Sequence, residues 1–150
     1  YGNGIIENLE KRELLPLLHE LKEEGRVKIL GICLGFQLMC LSSEEGICKG
    51  LGWIPIAVRR FPIEKNRSAY NMSWLSIAEF SSGFEIFEKD RFYFTHGFYV
   101  PVLDNSIFVS QFYSTHLTAF YRSGNIFGVQ FHPEKSQKIG LKIISNFFKQ

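Results

Sequence analysis

The sequence places one cysteine where a reactive thiol is expected. Cys33 is the centre of Gly31-Ile32-Cys33-Leu34-Gly35, which has the Gly-x-nucleophile-x-Gly form of a nucleophile elbow. So sharp a turn strains the backbone of the nucleophile, and small residues two positions before and after it avoid collisions. The turn also places Cys33 at a helix N-terminus, where the helix dipole favours the thiolate. A buried structural cysteine is the alternative that this motif leaves open.

A thiolate nucleophile needs a proton shuttle, and histidine is the usual one. The chain has four histidines: His19, His96, His116 and His132. His132 ends an apolar strand and is followed by Pro133-Glu134, so a base and a carboxylate that could orient it leave the same strand end. A surface turn with an incidental ion pair is the alternative for this tripeptide. His96 ends an aromatic run and is predicted to lie in the core or to line a pocket, and the other two histidines are predicted to be solvated.

The elements expected to position these residues belong to one α/β domain. Apolar residues at three- and four-residue steps predict two short helices over residues 5–24, closed by Gly25, and a C-terminal helix over residues 139–148. The run 27–32 predicts a buried parallel strand that leads into Cys33, and a helix is expected over residues 36–41. β-branched and aromatic runs predict further strands at residues 53–61, 72–77, 92–95, 107–113, 118–121 and 126–131, with turns at Gly83, 104–105 and 123–125.

Composition narrows the class of protein. The chain has 150 residues, of which 45% are hydrophobic and 21% charged, as expected for one globular domain with a core. The formal net charge is +2 and the basic residues are scattered, which argues against nucleic acid as a partner. No apolar run approaches the roughly 20 residues that span a bilayer, and the N-terminus lacks a signal peptide. We therefore expect no membrane partner and a cytoplasmic location.

The remaining cysteines indicate no second site. The three cysteines lack the paired spacing of a zinc site, so they are expected to be reduced, and no metal or cofactor is expected. Cys40 is predicted to be a core residue of the helix that follows the elbow. Cys48 is predicted to be a loop thiol.

Four segments together carry a family resemblance. They are residues 31–39 (GICLGFQLM), 42–46 (SSEEG), 49–53 (KGLGW) and 128–136 (GVQFHPEKS). Along nearly its whole length the chain resembles the class I, or triad, glutamine amidotransferases, and among them the HisH glutaminase subunits of imidazole glycerol phosphate synthase. Lys135 is the most discriminating residue, because other triad amidotransferases commonly carry serine directly after the glutamate. The resemblance implies a three-layer α/β fold with a central, mostly parallel sheet.

The resemblance also implies a mechanism and a set of site residues. Cys33 would attack the side-chain amide of glutamine, His132 would protonate the departing ammonia, and Glu134 would orient His132. The backbone N–H of Leu34 would supply one oxyanion donor. Substrate contacts are implied at Gln37, Glu45, Gly97 and Phe98. Ammonia would pass to a barrel-shaped, HisF-like cyclase subunit in a heterodimer, across a face that includes Lys135, Tyr93 and Trp74.

Each of these assignments has a simpler alternative. Gln37, Glu45 and Lys135 taken singly also fit solvated surface residues, and aromatic residues in β-rich runs, such as Tyr93 and Trp74, more often pack in a core. The joint match of the first three residues disfavours a cysteine peptidase on a related fold.

Two departures from the family pattern lead to alternative functions. The family begins with a strand–helix–strand unit that supplies a second oxyanion donor, and Tyr1 aligns just after that unit. Residues 1–150 are therefore expected to form a glutaminase domain that lacks its first strands, and a non-catalytic partner-binding module is one alternative. Residues 68–75 (SAYNMSWL) differ from the usual PHMGWN. This difference favours a second alternative, a paralogue that supplies ammonia for amidation of a surface-polysaccharide sugar.

Overall fold

The described chain, residues 2–46, 48–81, 85–87 and 89–149, has an α/β structure in a computed structural model. The helices are α1 (Gly2–Lys11), α2 (Leu14–Glu24), α3 (Leu34–Leu38) and α4 (Gln137–Lys149). The strands are β1 (Ile29–Ile32), β2 (Cys40–Ser43), β3 (Cys48–Lys49), β4 (Ile54–Arg60), β5 (Asn71–Leu75), β6 (Ile77–Phe80), β7 (Phe92–His96), β8 (Phe98–Tyr99), β9 (Ser106–Phe112), β10 (Thr115–Ser123) and β11 (Ile126–Val129). A 3-10 turn covers Pro133–Lys135.

The helices at the two ends of the chain follow the apolar spacing of the sequence. α2 ends at Gly25, whose φ of 71° is left-handed and whose N–H donates to the carbonyl of Leu21 at 3.4 Å. α4 buries Ile143 and places the ring of Phe147 5.0 Å from that of Phe127 on β11. No helix in the described part of the chain is both long and apolar enough to cross a membrane.

The strands pair into mixed sheets. The strand order is β1-β11-β10-β9-β6 in the largest sheet, β3-β2-β4-β8 in the second sheet and β5-β7 in a two-stranded ribbon. Among the described strands, β1 pairs parallel with β11 and β2 pairs parallel with β4, whereas the other ladders are antiparallel. The predicted α/β class is confirmed, but the expectation of a mostly parallel sheet is not met. Tight connections at residues 113–114 and 124–125 join β9, β10 and β11, and such short connections permit only antiparallel neighbours.

The helix predicted over residues 36–41 is wrong in its second half. α3 ends at Leu38, and β2 begins two residues later. The carbonyls of Leu38 and Met39, which a longer helix would bond to its own next turn, accept instead from the N–H groups of Leu51 (2.7 Å) and Trp53 (2.9 Å). These non-local hydrogen bonds outweigh the local preference for helix.

The other predicted strands are present with shifted ends. The run 72–77 is divided at Ser76 into β5, which pairs with β7, and β6, which pairs with β9. Sequence analysis missed β3 and β8 because two-residue strands show no periodicity. The turn predicted at Gly83 lies outside the described residues.

The core is rich in phenylalanine. Its larger cluster collects buried rings from β7, β9, β10 and β11: Phe92, Phe94, Phe108, Phe120 and Phe127. A second cluster joins Phe36 of α3 to Ile54 and Val58 of β4 and Tyr121 of β10. Phe36 is fully buried, so α3 is anchored although it has only five residues.

Two glycines that pair across β1 and β11 allow α3 to lie directly on the sheet. Gly31 is the register partner of Gly128. A Cβ added to Gly31 would lie 2.7 Å from the backbone nitrogen of Phe36, and a Cβ added to Gly128 would lie 1.9 Å from the Phe36 ring. A side chain at either position would push α3 off the sheet, and Cys33 at its N-terminus would move with it.

We expect Gly31→Ala and Gly128→Ala each to lower the free energy of unfolding by about 1–3 kcal/mol, because both overpack the contact with α3. Gly35→Ala is the matched control, since a Cβ there would meet no atom within 4 Å. Alanine in a helix leaves stability unchanged or slightly raises it. Urea unfolding followed by circular dichroism measures all three variants. Equal stability of Gly31→Ala and Gly35→Ala would contradict this packing.

Candidate active site

The backbone at Cys33 has the strained turn that the elbow motif predicts. Its φ is 50° and its ψ is −105°, a conformation that non-glycine residues rarely adopt. The turn is held by a hydrogen bond from the Cys33 N–H to the carbonyl of Val129 at 2.7 Å. The need for a small residue two positions before the nucleophile is confirmed at Gly31. The same expectation is wrong at Gly35, because an added Cβ would face open space.

The sulfur of Cys33 lies among neutral polar groups. Sγ is 3.9 Å from the carbonyl oxygen of Thr95 and 3.7 Å from Nε2 of Gln130. The backbone N–H of Leu34 lies near enough to the sulfur to lower the pKa of Cys33. The thiol can therefore donate to one carbonyl, while the thiolate could accept from two N–H donors.

The pKa of Cys33 shifts in the direction opposite to that expected from a helix N-terminus. Burial is the largest cause and raises the pKa of the thiol, and the nearby carboxylates of Glu134 and Glu45 raise it further. The hydrogen bonds from Leu34 and Gln130 lower the pKa but do not reverse the shift. Since α3 is so short, its dipole offers little compensation. The resting group is a thiol, and a base must remove its proton before attack.

His132 is held in an orientation suited to a base. Its Nδ1 is 2.7 Å from Oε1 of Glu134, and its backbone N–H donates to the carbonyl of Tyr93 at 2.9 Å. The buried hydroxyl of Ser136 donates to the His132 carbonyl at 2.6 Å and accepts from the Tyr93 N–H at 3.0 Å. A proton on Nδ1 that faces the carboxylate leaves Nε2 to accept or release a proton.

The parallel pairing of β1 and β11 brings Cys33 and His132 to the same edge of the large sheet. Cys33 directly follows β1, and His132 follows the end of β11 at Val129 by three residues. The two side chains share no hydrogen bond among the described contacts, and catalytic hydrogen bonds often tighten only when substrate is bound. The charge of Glu134 nevertheless reaches the sulfur, since it raises the pKa of Cys33.

A narrow pocket beside the elbow gathers three of the predicted site residues. Leu34, Gln37 and Glu45 line it together with residues of β2 and β3. The backbone of Glu45 is held by a hydrogen bond from its N–H to the hydroxyl of Ser43 at 3.0 Å. Its lining includes one carboxylate residue (Glu45), one amide residue (Gln37) and one ammonium residue (Lys49), together with the residue that follows Cys33.

Gln37 and Phe98 bond to each other. Nε2 of Gln37 donates to the Phe98 carbonyl at 2.8 Å and to Oε1 of Gln130 at 3.0 Å. Both hydrogens of the Gln37 amide are committed, so its oxygen is the atom of this group that could contact a ligand. Phe98 lies in β8, and Gly97 joins β8 to β7. The carbonyl of Phe98 accepts a second hydrogen bond, from Nδ1 of His96 at 2.7 Å.

His96 is a neutral core residue rather than a pocket residue. It is 5% exposed, and its Nε2 lies 3.1 Å from the side-chain nitrogen of Asn71. The hydroxyl of Ser73 donates to the oxygen of Asn71. The pKa of His96 is lowered to about 4, chiefly by burial and also by the charge of His132, so the ring is uncharged at neutral pH.

The three residues predicted for a partner-facing surface lie together. Trp74 and Tyr93 pair across the β5–β7 ribbon with ring centroids 5.5 Å apart, and Nζ of Lys135 lies 6.0 Å from the Tyr93 centroid. Trp74 is 44% exposed, and Met72 on the same strand is 66% exposed. Core packing is therefore not the role of Trp74. These side chains form an apolar and basic face beside the His132 turn.

The remaining histidines and Cys40 lie apart from this site, whereas Cys48 lines the pocket beside the elbow. His19 and His116 are exposed, as predicted. Burial raises the pKa of Cys40 to about 12, which makes this thiol inert. Cys48 is buried in β3 rather than exposed in a loop, because β3 pairs with β2. Within the described residues, no group of three or more His, Cys, Asp or Glu side chains could hold a metal ion.

Sequence reasoning assigned no role to four polar residues that the structure places around the site: Asn71, Thr95, Gln130 and Ser136. Gln130 stands two residues before His132, and the two-residue period of an extended chain places both side chains on one side. That signal could have identified Gln130. Asn71 and Thr95 meet the site through the pairing of β5 with β7, which no local pattern predicts.

Comparison with known proteins gives this site a family context. The family model described as glutamine amidotransferase class-I matches residues 4–150. The chain is 38% identical over 148 residues to imidazole glycerol phosphate synthase subunit HisH 2 of Methanococcus maripaludis, covering 95% of this chain and 73% of that protein. The protein of the same name from Pseudomonas aeruginosa is also 38% identical over 148 residues, covering 95% of this chain and 72% of that protein.

Solved structures share the fold at low sequence identity. A crystal structure of a glutamine amidotransferase matches 99% of this chain and 74% of that chain with a TM-score of 0.64 and 15% identity. A putative GMP synthase subunit of Thermoplasma acidophilum matches 93% of this chain and 65% of that chain, with a TM-score of 0.57 and 19% identity. Likeness at such identities shows the fold alone.

The buried His96 predicts a loss of stability in mild acid. Its folded pKa of about 4 lies below the ordinary value of 6.5, so the unfolded chain takes up this proton first as the pH falls. Stability that is fully present above about pH 6.5 should therefore decrease towards pH 4, by up to about 3 kcal/mol from this group alone. Urea unfolding at pH 7.5, 6.0 and 4.5 measures the decrease.

His96→Gln should lose less stability than the wild type over that pH range, whereas His116→Gln, at an exposed position, should behave as the wild type. If His96→Gln does not fold, an NMR titration of the wild type measures the pH at which His96 is protonated in the folded protein. A His96 ring that is protonated at pH 6 in the folded protein would contradict the prediction.

Proposed function

We propose that this chain, which belongs to the class-I glutamine amidotransferase family, hydrolyses glutamine to glutamate and ammonia with Cys33, His132 and Glu134. The single observation that carries this assignment is the meeting of the strained Cys33 turn with the His132–Glu134 pair at one sheet edge. Relatives named imidazole glycerol phosphate synthase subunit HisH support delivery of the ammonia to a cyclase partner in histidine biosynthesis.

The first half of the reaction transfers the acyl group of glutamine to Cys33. His132 accepts the thiol proton, and the sulfur attacks the side-chain amide carbon. The negative charge that develops on the amide oxygen is stabilised by the backbone N–H of Leu34, which also lowers the pKa of the reacting sulfur. The tetrahedral intermediate then collapses to a thioester, and His132 returns the proton to the leaving ammonia.

The second half releases glutamate. His132 removes a proton from water, the resulting hydroxide attacks the thioester carbon, and the Cys33 thiolate leaves. Glu134 stabilises the charged imidazole in both halves through its contact with Nδ1. The raised pKa of Cys33 favours reprotonation of the sulfur at the end of the cycle.

The pocket residues suit the two ends of glutamine. We assign the carboxylate of Glu45 to the α-ammonium group of the substrate, because it is the acidic side chain that lines the pocket beside the elbow. The oxygen of Gln37 is available to the substrate, whereas its nitrogen holds Phe98. The N–H groups of Gly97 and Phe98 are our candidates for the α-carboxylate.

The face formed by Trp74, Tyr93 and Lys135 is proposed to bind a barrel-shaped cyclase of the HisF type. Its exposed aromatic and basic side chains lie beside the turn that carries His132, so a partner bound there would receive ammonia over a short path. Exposed aromatic anchors are typical of such interfaces.

A second acceptor of the ammonia is favoured by one observation. Residues 68–75 differ from the usual family segment, and the ring of Tyr70 lies against Gly97, 3.2 Å from where a Cβ would stand. A paralogue that supplies ammonia for sugar amidation would keep the glutamine chemistry and change this segment. Purified cyclase of the same organism distinguishes the two, because only the histidine-pathway enzyme should form cyclised product from glutamine with it.

Cys33→Ala should lower glutamine hydrolysis at least about 10³-fold, because it removes the nucleophile. Glu134→Gln should lower kcat by about 10²-fold or more while KM changes little, since it removes the charge that stabilises protonated His132. Release of glutamate and ammonia is measured in the protein that carries this chain, with its cyclase partner present. His116→Gln, at an exposed position apart from the site, is the control and should keep wild-type turnover.

An unchanged rate in Cys33→Ala would rule out this mechanism. Partner association without any glutamine turnover in the wild type would instead favour the non-catalytic binding module. Peptide cleavage in the absence of glutamine turnover would favour a cysteine peptidase.

A further inference from the structure

We propose that Gln130 is a positioning residue that donates an N–H to the sulfur of Cys33 and is held in the required orientation by Gln37 and the carbonyl of Phe98. The inference rests on the proposed role of Cys33 as nucleophile. We call the chain of hydrogen bonds from the Phe98 carbonyl through Gln37 and Gln130 to Cys33 the relay. The main role of Gln37 is then to hold Gln130, and Gln130 gains a role in the reaction in addition to those of His132 and Glu134.

The direction of the relay follows from its fixed end. The Phe98 carbonyl can only accept a hydrogen bond, so the Gln37 amide must turn its nitrogen towards it, at 2.8 Å. The same nitrogen lies 3.0 Å from the Gln130 amide, which must therefore present its oxygen. The remaining nitrogen of Gln130 then faces the sulfur of Cys33 at 3.7 Å. The backbone carbonyl at the far end of the relay thus decides that the sulfur meets a donor rather than an acceptor.

Burial prevents the amide groups of Gln37 and Gln130 from flipping. Gln130 is 0% exposed and Gln37 is 7% exposed, so water cannot replace a broken amide contact at low cost. The backbone N–H of Gln130 donates to the carbonyl of Ala119 on β10 at 2.9 Å, which fixes the start of the side chain. The Phe98 carbonyl is held from its other side by His96 at 2.7 Å.

The relay acts against the charges around Cys33. The charged groups whose fields reach the sulfur are Glu45 beside the elbow and Glu134 in the 3-10 turn, and both disfavour the thiolate. His132, whose Nδ1 faces the carboxylate of Glu134, is the base that removes the proton. Gln130 and the N–H of Leu34 are the neutral donors that favour the anion. A hydrogen bond to a charged acceptor is stronger than one to a neutral acceptor, so the Gln130 contact strengthens as the proton leaves.

The test measures the reactivity of Cys33 separately from glutamine turnover. Iodoacetamide alkylation of Cys33 is followed from pH 6 to pH 10, with the modified cysteine identified by peptide mass spectrometry, in the wild type, Gln130→Met and Gln130→Glu. Methionine keeps the length of the side chain but lacks the donor, and glutamate keeps the shape but presents an acceptor. Loss of one charge-assisted hydrogen bond predicts an alkylation rate at pH 7 and a kcat for glutamine about tenfold lower in Gln130→Met, with KM changed less than about twofold.

Gln130→Glu should react more slowly than Gln130→Met, because a carboxylate repels the thiolate. A merely structural role predicts that every folded variant alkylates Cys33 with the wild-type pH profile. Gln111→Met is the matched control: it removes the same group on β9, where the amide is exposed and donates to the Tyr113 carbonyl. It should leave both the alkylation profile and kcat unchanged.

Gln37→Met supplies a second test that leaves Gln130 in place. It removes the N–H group that donates to Oε1 of Gln130, so the Gln130 amide is no longer held in one orientation. Alkylation of Cys33 at pH 7 should therefore also become slower. A folded Gln130→Met or, if that variant does not fold, a folded Gln37→Met with a wild-type alkylation profile would overturn the proposal. A wild type that hydrolyses no glutamine would defeat the proposed function, yet the alkylation series would still decide whether Gln130 positions Cys33.

Discussion

The parallel pairing of β1 with β11 is the constraint on which the candidate site depends. It sets Gly31 opposite Gly128, and the absence of side chains there lets α3 rest on the two strands. The same pairing ends both strands at one sheet edge, from which Cys33 and the segment that carries His132 emerge. Cys33 takes its strained conformation because its N–H is bonded to the last residue of β11 and its Cα leads at once into the anchored helix. The position of the candidate site thus follows from the register in which β1 pairs with β11.

The site combines two opposing electrostatic influences on a single sulfur. Burial and two carboxylates raise the pKa of Cys33 and keep it protonated at rest. Two N–H donors, from Leu34 and Gln130, lower the pKa and favour the thiolate. Such an arrangement delays formation of the thiolate until a base takes the proton, and it supports the charged form once it exists. His132 is available as that base because Glu134 and Ser136 hold its ring and its backbone.

A buried polar network lies beneath this reacting surface. It runs from Ser73 and Asn71 on β5 through neutral His96 to the Phe98 carbonyl, and from there through Gln37 to Gln130. Nearly every member comes from a different element, so the network ties the ribbon, β8 and α3 together. Its groups are satisfied by one another, which is the condition under which buried polar groups rigidify a site instead of destabilising it. Along β5, Asn71 and Ser73 of this network alternate with the exposed Met72 and Trp74.

The sequence by itself identified the candidate nucleophile, the candidate base and the candidate orienting acid, because the elbow and His-Pro-Glu are local patterns whose geometry is set by adjacent residues. It also determined the helices at both ends and most strands, since their apolar periods are local. Only the tertiary structure decided that the helix after Cys33 stops at Leu38, where the N–H groups of Leu51 and Trp53 take its carbonyls. It also decided that the pKa of Cys33 rises, that His96 is neutral, and that Gln37 is committed to Phe98 and Gln130. These properties arise from burial and from hydrogen bonds between residues distant in the chain, which no local pattern encodes.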